Sequence, residues 1–362
     1  MTMPTISVTM AVCNVERFLA ASIESVLQQT FTDFEFVIVD FGSTDRSKAI
    51  VAAYMAKDDR IKFHEVLGIG LVGARNAACS YARGRYIAVM DADDVCLPER
   101  LLLEFEFMEK NQSVGLVGGA AEWIDAGGKS LGIHEGPNKD CDIRLALIDH
   151  CPFCHPTVLI RKDALDLVGG YRSAFSVSHD YDMELRLAEH FQLANLKQVV
   201  LRYRVHGSQI SLRRQREQTL CKLAAQASVL FRKGGWQDPF DAVSHITPML
   251  LARFGVSEAE QEQHFVNEYR MWIRNMCMAG EQSVALFALI EMLKSSDWKY
   301  AKKWQIADLW LLAGKLYWKR GHFWRSCLAA YHAFTVSPRV LGRSLRPLMR
   351  TLLPRSPSEA GS

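Results

Sequence analysis

Long uncharged apolar segments are missing from this chain of 362 residues. None reaches the roughly 18 residues that a helix needs to cross a bilayer, so any contact with a membrane is expected at its surface. The N-terminus also lacks a charged and then apolar leader. We therefore expect the nine cysteines to be free thiols in the reducing cytoplasm, without a disulfide framework.

Acidic residues are missing from one part of the chain. Residues 315–355 contain nine basic residues and no acidic one, and residues 212–362 carry 22 Lys and Arg against 12 Asp and Glu. Residues 1–211 show the opposite balance, 21 against 28. The basic bias points to an anionic partner such as the inner face of the plasma membrane, with residues 339–350 as an interfacial helix. A helical domain with a solvated cationic face explains the bias equally well, and no nucleic-acid partner is expected.

Short apolar runs alternate with segments of helical length in the first half of the chain. Such alternation predicts right-handed βαβ units and a mostly parallel sheet with helices on both faces. A hairpin at residues 122–133 and two later strands indicate a mixed second half, and helical periodicity takes over after residue 212. We therefore predict an α/β catalytic domain over residues 1–211 and an all-helical, basic extension over residues 212–362. The predicted strands are 6–12, 34–40, 61–66, 86–91, 157–161 and 199–204, and the early helices are 16–29, 44–57, 74–83 and 98–111.

Three carboxylates follow the buried-strand pattern of residues 86–90, in the run Asp91-Ala92-Asp93-Asp94. Ligands of open α/β sheets bind outside the carboxyl ends of such strands. Like charges crowded at that place repel one another unless a cation lies among them, and oxygen ligands suit Mg²⁺ or Mn²⁺ bound to a substrate phosphate. Alternatively, Asp94 caps the next helix, but that role leaves Asp91 and Asp93 unexplained.

Three other polar residues also stand at predicted strand or helix ends. Asp40 closes a strand before Gly42, where its carboxylate can accept a base N–H or a ribose hydroxyl while backbone N–H groups bind phosphate. Asp180 precedes a helical stretch and is either a general base or an N-cap. His206 ends the last strand and is either a metal or diphosphate ligand or a structural histidine.

The run Gly68-Ile69-Gly70-Leu71-Val72-Gly73 favours a different enzyme class. It matches the dinucleotide fingerprint between a strand and a helix, with the acidic Asp91 about 20 residues further on. An NAD-dependent oxidoreductase that needs no metal is therefore the rival hypothesis. The fingerprint normally follows the first strand, however, and here two strands precede the one that leads into it.

Together these motifs resemble family 2 of the inverting nucleotide-sugar glycosyltransferases, which have the GT-A fold. The resemblance covers residues 5–211, and its motifs occur in the family's order. They are Cys13-Asn14, Gln29-Thr30-Phe31-Thr32-Asp33-Phe34-Glu35, Val39-Asp40-Phe41-Gly42-Ser43-Thr44-Asp45, Ala74-Arg75-Asn76, Asp91-Ala92-Asp93-Asp94, His155-Pro156-Thr157, Gly169-Gly170-Tyr171, Asp180-Tyr181-Asp182, Leu185-Arg186-Leu187 and Tyr203-Arg204-Val205-His206.

The resemblance implies a GT-A-type sheet, with a Rossmann-like nucleotide-binding half and a mixed acceptor half, and a role for each matching residue. It implies a donor nucleotide-sugar, UDP-linked in the first instance, an Mg²⁺ or Mn²⁺ ion, and a glycan or lipid-linked acceptor in cell-surface polysaccharide or glycolipid assembly. Asp180 is then the catalytic base. The implied donor-binding residues are Ala11, Asn14, Asp40 for the base, Asp91 for the ribose and Arg75 for the diphosphate or the loop that carries it. The implied metal ligands are Asp93 and His206, and His206 is alternatively a diphosphate contact.

Four positions depart from the family pattern. Phe41 replaces a frequent aspartate and Cys13 a tyrosine, which puts the nucleotide preference in question. Gly68 stands where asparagine is usual, and His179 replaces the glutamate that often precedes the catalytic base. Phe41 and Gly68 leave a third hypothesis open, a glycan-assembly scaffold that has lost turnover and recruits partners through its helical extension, where residues 310–338 have the spacing of one tetratricopeptide unit. The intact Asp91, Asp93 and Asp180 argue against it.

Overall fold

A computed structural model describes residues 3–206, 214–295 and 298–338. The chain divides into two compact units, one ending at Val256 and one beginning at Ser257. The interfacial helix predicted for residues 339–350 lies outside the described residues. In the described part, no helix is both long and apolar enough to span a membrane.

The first unit is built on a nine-stranded mixed sheet with the order β3-β2-β1-β4-β8-β6-β9-β5, and β7 pairs with β6. Strands β3, β2, β1 and β4 are mutually parallel, whereas β8 runs antiparallel to both β4 and β6. The predicted parallel half and mixed half are thus confirmed. The strands are β1 Ile6–Val12, β2 Phe34–Asp40, β3 Ile61–Glu65, β4 Tyr86–Asp91, β5 Val95–Cys96, β6 Val114–Ile124, β7 Ser130–His134, β8 Leu159–Arg161 and β9 Gln192–Arg204.

Apolar runs make the central strands, because both faces of the parallel half are covered. Every residue of β2 is buried, and so are the first five of β1 and of β4. The helices of this unit are α1 Glu16–Leu27, α2 Ser47–Met55, α3 Gly70–Tyr81, α4 Arg100–Lys110, α5 Asp140–Leu147, α6 Lys162–Leu167, α7 His179–Leu187, α8 Gln215–Lys233 and α9 Pro248–Arg253.

Strand register places the polar strand ends together. Val12 of β1 pairs with Asp40 of β2, and Ala11 pairs with Asp91 of β4 on the other side. Parallel pairing therefore brings Ala11, Asp40 and Asp91 to one edge of the sheet, as the sequence predicts. The short β5 pairs with β9, with Val95 opposite Arg202.

The first compact unit extends beyond residue 211, where the sequence pattern changes from α/β to helical. Leu220 and Leu223 of α8 are buried in the same apolar cluster as Ile87 of the sheet and Tyr181 of α7. Arg172 also forms ion pairs with Asp238, which follows α8. Leu251 of α9 belongs to the same cluster. These contacts place α8 and α9 with the sheet, while the extent of the part needed for catalysis stays a prediction.

All regular elements in the described part of the second unit are helices, as predicted. It contains α10 Glu258–Met278, α11 Gln282–Ser295, α12 Lys303–Lys319 and α13 Phe323–Val336. A capping box between Ser257 and Glu260 begins α10. Gly321, with a φ of +75°, closes the turn of the hairpin that α12 and α13 form.

Candidate active site

Asp40 has one oxygen engaged and one oxygen available. Its Oδ1 accepts hydrogen bonds from the N–H groups of Gly42 (3.0 Å) and Ser43 (2.8 Å), which fixes the turn after β2. The side chain is fully buried, and within the described residues its Oδ2 has no partner. A buried acceptor without a donor is costly, so this oxygen is a suitable place for a ligand N–H.

Asn14 holds the loop after β2 against the end of β1. Its Oδ1 accepts from the N–H of Thr44 at 2.9 Å, and its own N–H donates to the Oγ of Ser43 at 3.0 Å. Asn14 has a φ of +53°, a conformation that asparagine tolerates better than most residues. Ser43 and Thr44 are not helix caps, because α2 begins only at Ser47.

Arg75 and Asp91 form an ion pair at the edge of the sheet. Arg75 of α3 is buried, and its Nη2 donates to Oδ1 of Asp91 at 2.7 Å. Burial raises the pKa of Asp91, Arg75 opposes that shift, and the nearby charges of Asp93 and Asp180 add to it. The negative charges of Asp91 and Asp180 therefore act on each other's surroundings, and the charge of Arg75 opposes the pKa shift of both.

Asp93 and His206 meet because β5 pairs with β9. The Nε2 of His206 lies 2.9 Å from the Oδ2 of Asp93. The adjacent Asp94 accepts the N–H of Arg204 at 2.7 Å, and its Oδ2 is buried without a partner in the described part. Burial and then the charges of Asp93 and Asp91 raise the pKa of Asp94 well above its ordinary value. Asp94 thus anchors β9 and does not cap α4, which begins at Arg100.

The acidic cluster fits a divalent cation in charge, and the Asp93–His206 pair fits one in spacing. Within the described ranges no three His, Cys, Asp or Glu side chains form a complete metal site. Mutual repulsion of Asp91, Asp93 and Asp94 is nevertheless the situation that a cation relieves. The 2.9 Å separation of Asp93 and His206 is also close to the roughly 3 Å between adjacent ligands of one octahedral ion. Asp93 and His206 are therefore a fitting pair of protein ligands, and the remaining positions would fall to water and substrate phosphate.

Asp180 lies in the first turn of α7 and does not cap it. The N-cap position belongs to Ser178, whose φ of +53° is uncommon for a residue with a side chain. The Oδ1 of Asp180 accepts the neighbouring N–H of Tyr181, at 2.9 Å. Burial raises the pKa of Asp180, while that hydrogen bond and the charge of Arg75 oppose the shift. A carboxyl group with a raised pKa is a suitable proton acceptor.

The loop before α7 is held from two sides. Asn76 of α3 donates to the carbonyl of Tyr171 at 2.7 Å and accepts its N–H at 2.9 Å. Arg186 of α7 donates to the carbonyl of Gly170 and to Asp182, both at 2.8 Å. Asn76, Tyr171 and Arg186, which belong to the family motifs, therefore fix the conformation of the loop that leads into α7. This loop in turn fixes the position of Asp180.

A buried aromatic cluster adjoins the site and was missed by the sequence reasoning. The hydroxyl of Tyr171 lies 3.1 Å from Nε2 of His155, and the ring of His179 stands edge-on to Tyr171 at 5.4 Å. Neither ring nitrogen of His179 has a partner among the described residues. Burial and then the charge of Arg75 lower the pKa of both histidines well below the ordinary value. Only the family order of the His155-Pro156-Thr157 and Gly169-Gly170-Tyr171 motifs pointed towards this cluster.

The glycine-rich run at residues 68–73 does not lie where a dinucleotide fingerprint would. It follows β3, which is the edge strand of the sheet. Gly68 and Gly70 adopt φ values of +77° and +61°, so the turn into α3 itself requires glycine. Asp91, the acid expected on the ribose of NAD, lies on β4 and is paired with Arg75. These facts weigh against the oxidoreductase hypothesis.

Known proteins similar to this chain agree on one enzyme class. Residues 7–167 match the sequence profile described as Glycosyl transferase family 2. An uncharacterized glycosyltransferase of Methanocaldococcus jannaschii is 33% identical over 222 residues, which make up 60% of this chain and 76% of that protein. The O-antigen biosynthesis glycosyltransferase WbnJ of Escherichia coli is 33% identical over 207 residues, 56% of this chain and 80% of that protein.

The fold also has a solved counterpart. The crystal structure of residues 1–349 of TarS from S. aureus, in complex with UDP-GlcNAc, is similar with a TM-score of 0.54 at 16% identity. The likeness covers 94% of this chain and 92% of that one. At this identity it bears on the fold alone, and it confirms the predicted GT-A-type architecture with a helical C-terminal region.

Proposed function

This chain belongs to glycosyl transferase family 2 and is a glycosyltransferase, and from that premise we propose that it transfers one sugar, with inversion, from a UDP-sugar to an acceptor hydroxyl. One observation carries the proposal. Asp40 and Asp91 lie at the same sheet edge, and the charges of Asp93 and Asp180 act on Asp91 there. Donor binding, charge neutralisation and proton removal thus have their groups within one small region.

The donor nucleotide would lie over the ends of β1, β2 and β4. The free Oδ2 of Asp40 is suited to accept an N–H of the base, and the second oxygen of Asp91 to accept a ribose hydroxyl. Ala11 and the loop that Asn14 holds would form the floor of this part of the site. UDP-sugars are the first donors to test, because the similarly folded TarS was solved with UDP-GlcNAc.

Asp93 and His206 would hold Mg²⁺ or Mn²⁺ next to the donor diphosphate. Such an ion neutralises the negative charge that builds on the leaving diphosphate. Without it, Asp91, Asp93 and Asp94 repel one another and the approaching phosphates. The positive charge of Arg75 supports the same region. Its guanidinium group is oriented by the ion pair with Asp91, in which Nη2 lies 2.7 Å from Oδ1.

Asp180 is the proposed general base. Its carboxylate takes the proton of the acceptor hydroxyl, and the hydroxyl oxygen attacks the anomeric carbon as the bond from that carbon to the diphosphate oxygen breaks. Attack from the face opposite the leaving group inverts the configuration. Because burial raises the pKa of Asp180, its carboxylate is a stronger base than an ordinary aspartate.

A donor screen by calorimetry, with and without Mn²⁺, tests the proposal. We expect one nucleoside diphosphate sugar to bind, with Mn²⁺ increasing its affinity at least tenfold, and NADH not to bind. Tight binding of NADH without metal would instead support the oxidoreductase. If the donor binds in a metal-dependent way but is neither transferred to any of a panel of acceptors nor hydrolysed, the result would support the non-catalytic scaffold.

For the acceptor, we propose a glycan or lipid-linked glycan of a cell-surface polysaccharide or glycolipid, elongated at the cytoplasmic face of the membrane. WbnJ, a relative at 33% identity, is named for O-antigen biosynthesis. The basic C-terminal part of the chain supports a peripheral position on an anionic bilayer.

A further inference from the structure

The last described helix packs through its small residues. Ala329 and Ala333 of α13 are buried against α12. Ser326 donates from its Oγ to the carbonyl of Gly314 at 2.9 Å, and a side chain at Gly314 would come within 3.3 Å of the backbone of Ser326. The hairpin is therefore held together at close range by alanine, glycine and serine.

The large apolar residues of α13 point the other way, into solvent. Trp324, Leu328 and Tyr331 are 88%, 55% and 61% exposed. Their spacing of four and three residues puts them on one helix face, and the exposed Phe323 and Phe334 flank them. We call Phe323, Trp324, Leu328, Tyr331 and Phe334 the outer face of α13, and it carries no charge.

Basic residues are exposed on the same helical hairpin as this outer face. Lys315, Lys319 and Arg320 are exposed at the end of α12, and Arg325 is exposed on α13. The exposed Trp318 joins them to the outer face, because its ring packs edge-on against Phe323 at 4.8 Å. The sequence contains no acidic residue between Asp308 and Glu359, so no nearby carboxylate of this segment offsets the positive charge.

The positive charge of these lysines and arginines decides which partner could cover the apolar outer face. The chain's own residues 339–355 add five arginines, and a second copy of the hairpin adds the same lysines and arginines, so either would bring like charges together. An apolar surface of aromatic rings would contribute nothing to the binding of a small free anion. An anionic bilayer offers both a negative headgroup layer and an apolar interior, and tryptophan, tyrosine, lysine and arginine are the residues enriched at that boundary.

We propose that the outer face of α13, with the basic residues of the same hairpin, is a docking surface for anionic lipid bilayers. Trp324, Leu328 and Tyr331 enter the headgroup boundary while Lys315, Lys319 and Arg325 contact lipid phosphates. The inference deepens the proposed peripheral location and rests on it, but it does not depend on the identity of the donor or acceptor.

The test compares variants of the full chain for binding to vesicles of phosphatidylcholine with 30% phosphatidylglycerol. We expect Trp324→Ser/Leu328→Ser/Tyr331→Ser to weaken binding at least tenfold, because the apolar contribution to partitioning is lost. Phe287→Ser/Met271→Ser, two exposed apolar residues on α11 and α10, is the matched control and should bind as the wild type does. Lys315→Glu/Lys319→Glu should also weaken binding, and raised salt should abolish the difference.

Two results would overturn the proposal. One is equal vesicle binding by the wild type and the Trp324 triple variant. The other is a concentration-dependent dimer in light scattering that the triple variant loses, since the outer face would then be an interface between copies. Calorimetry of the same variants with donor and Mn²⁺ separates this proposal from the proposed function. Donor binding should be the same in the wild type and in every vesicle-binding variant. If the donor bound to none of these proteins, including the wild type, that result would count against the donor assignment alone.

Discussion

The imidazole of His206 lies 2.9 Å from the carboxylate of Asp93, although 113 residues separate them in the chain. The pairing of β5 with β9 produces this contact, because it carries the end of β9 back to the acidic run after β4. Arg204 secures the same junction by donating to Asp94 and, from Nε, to the carbonyl of Asp93 at 2.8 Å. The pairing that adds β5 to the edge of the sheet thus also completes the proposed metal-binding pair.

Asp93→Asn should abolish the metal dependence of donor binding while leaving the fold intact. The amide keeps the shape of the side chain but removes the charge that holds a divalent ion. We expect the affinity for UDP or GDP in the presence of Mn²⁺ to fall at least tenfold in calorimetry. Asp166→Asn, at an exposed carboxylate that forms an ion pair with Lys162, is the control and should bind as the wild type does. Unchanged Mn²⁺-dependent affinity in Asp93→Asn would refute the metal assignment.

Local sequence patterns predicted the order of elements and the polar strand ends, because period, strand length and turn residues are local properties. Parallel pairing then brings Asp40 and Asp91 together without further information. Contacts between distant segments were not predictable in this way. Asn76 reaches Tyr171 across 95 residues, and nothing in either local sequence names the other as its partner.

The same limit explains the extent of the first unit. The apolar face of α8 predicts that the helix is packed, but it does not identify what the helix packs against. Its burial with Ile87 and Tyr181 depends on the completed sheet. Likewise, Asp180 resembles a helix cap in sequence, and the structure is needed to show that α7 begins before it, at His179, with Ser178 as the N-cap.

Asn76→Asp should destabilise the first unit by about 1–3 kcal/mol, because a carboxylate replaces the amide that donates to the carbonyl of Tyr171. Urea unfolding followed by circular dichroism should show a lower midpoint with an unchanged slope. Turnover should fall as well, since the loop before α7 positions Asp180. The comparison variant is Asn76→Gln, which keeps the amide group on a longer side chain. If Asn76→Asp were as stable as the wild type, the loop would not depend on this pair of hydrogen bonds.

Asp180→Asn separates a general base from a structural residue. Loss of a general base commonly lowers the rate by about 10²–10⁴, whereas loss of a helix cap costs only about 1 kcal/mol of stability. We expect transfer to fall within that range, with donor affinity and melting temperature nearly unchanged. The matched control is Asp182→Asn, which removes the charge that pairs with Arg172 and Arg186 and should lower the melting temperature. Wild-type turnover by an early-melting Asp180→Asn would contradict the catalytic assignment.

The pH dependence of transfer should report the raised pKa of Asp180. A general base acts only when deprotonated, and burial raises the pKa of this carboxyl group above the ordinary aspartate value. The rate should therefore be constant at high pH and fall tenfold per pH unit below the raised pKa, with that acidic limb at a higher pH than about 4. Arg75→Gln removes a positive charge that opposes the shift, so it should move the limb to still higher pH. The measurement is kcat against pH at saturating donor and Mn²⁺, with donor affinity followed in parallel so that an effect of pH on binding is recognised. A limb at the ordinary aspartate value, unmoved by Arg75→Gln, would show that the titrating base is not Asp180.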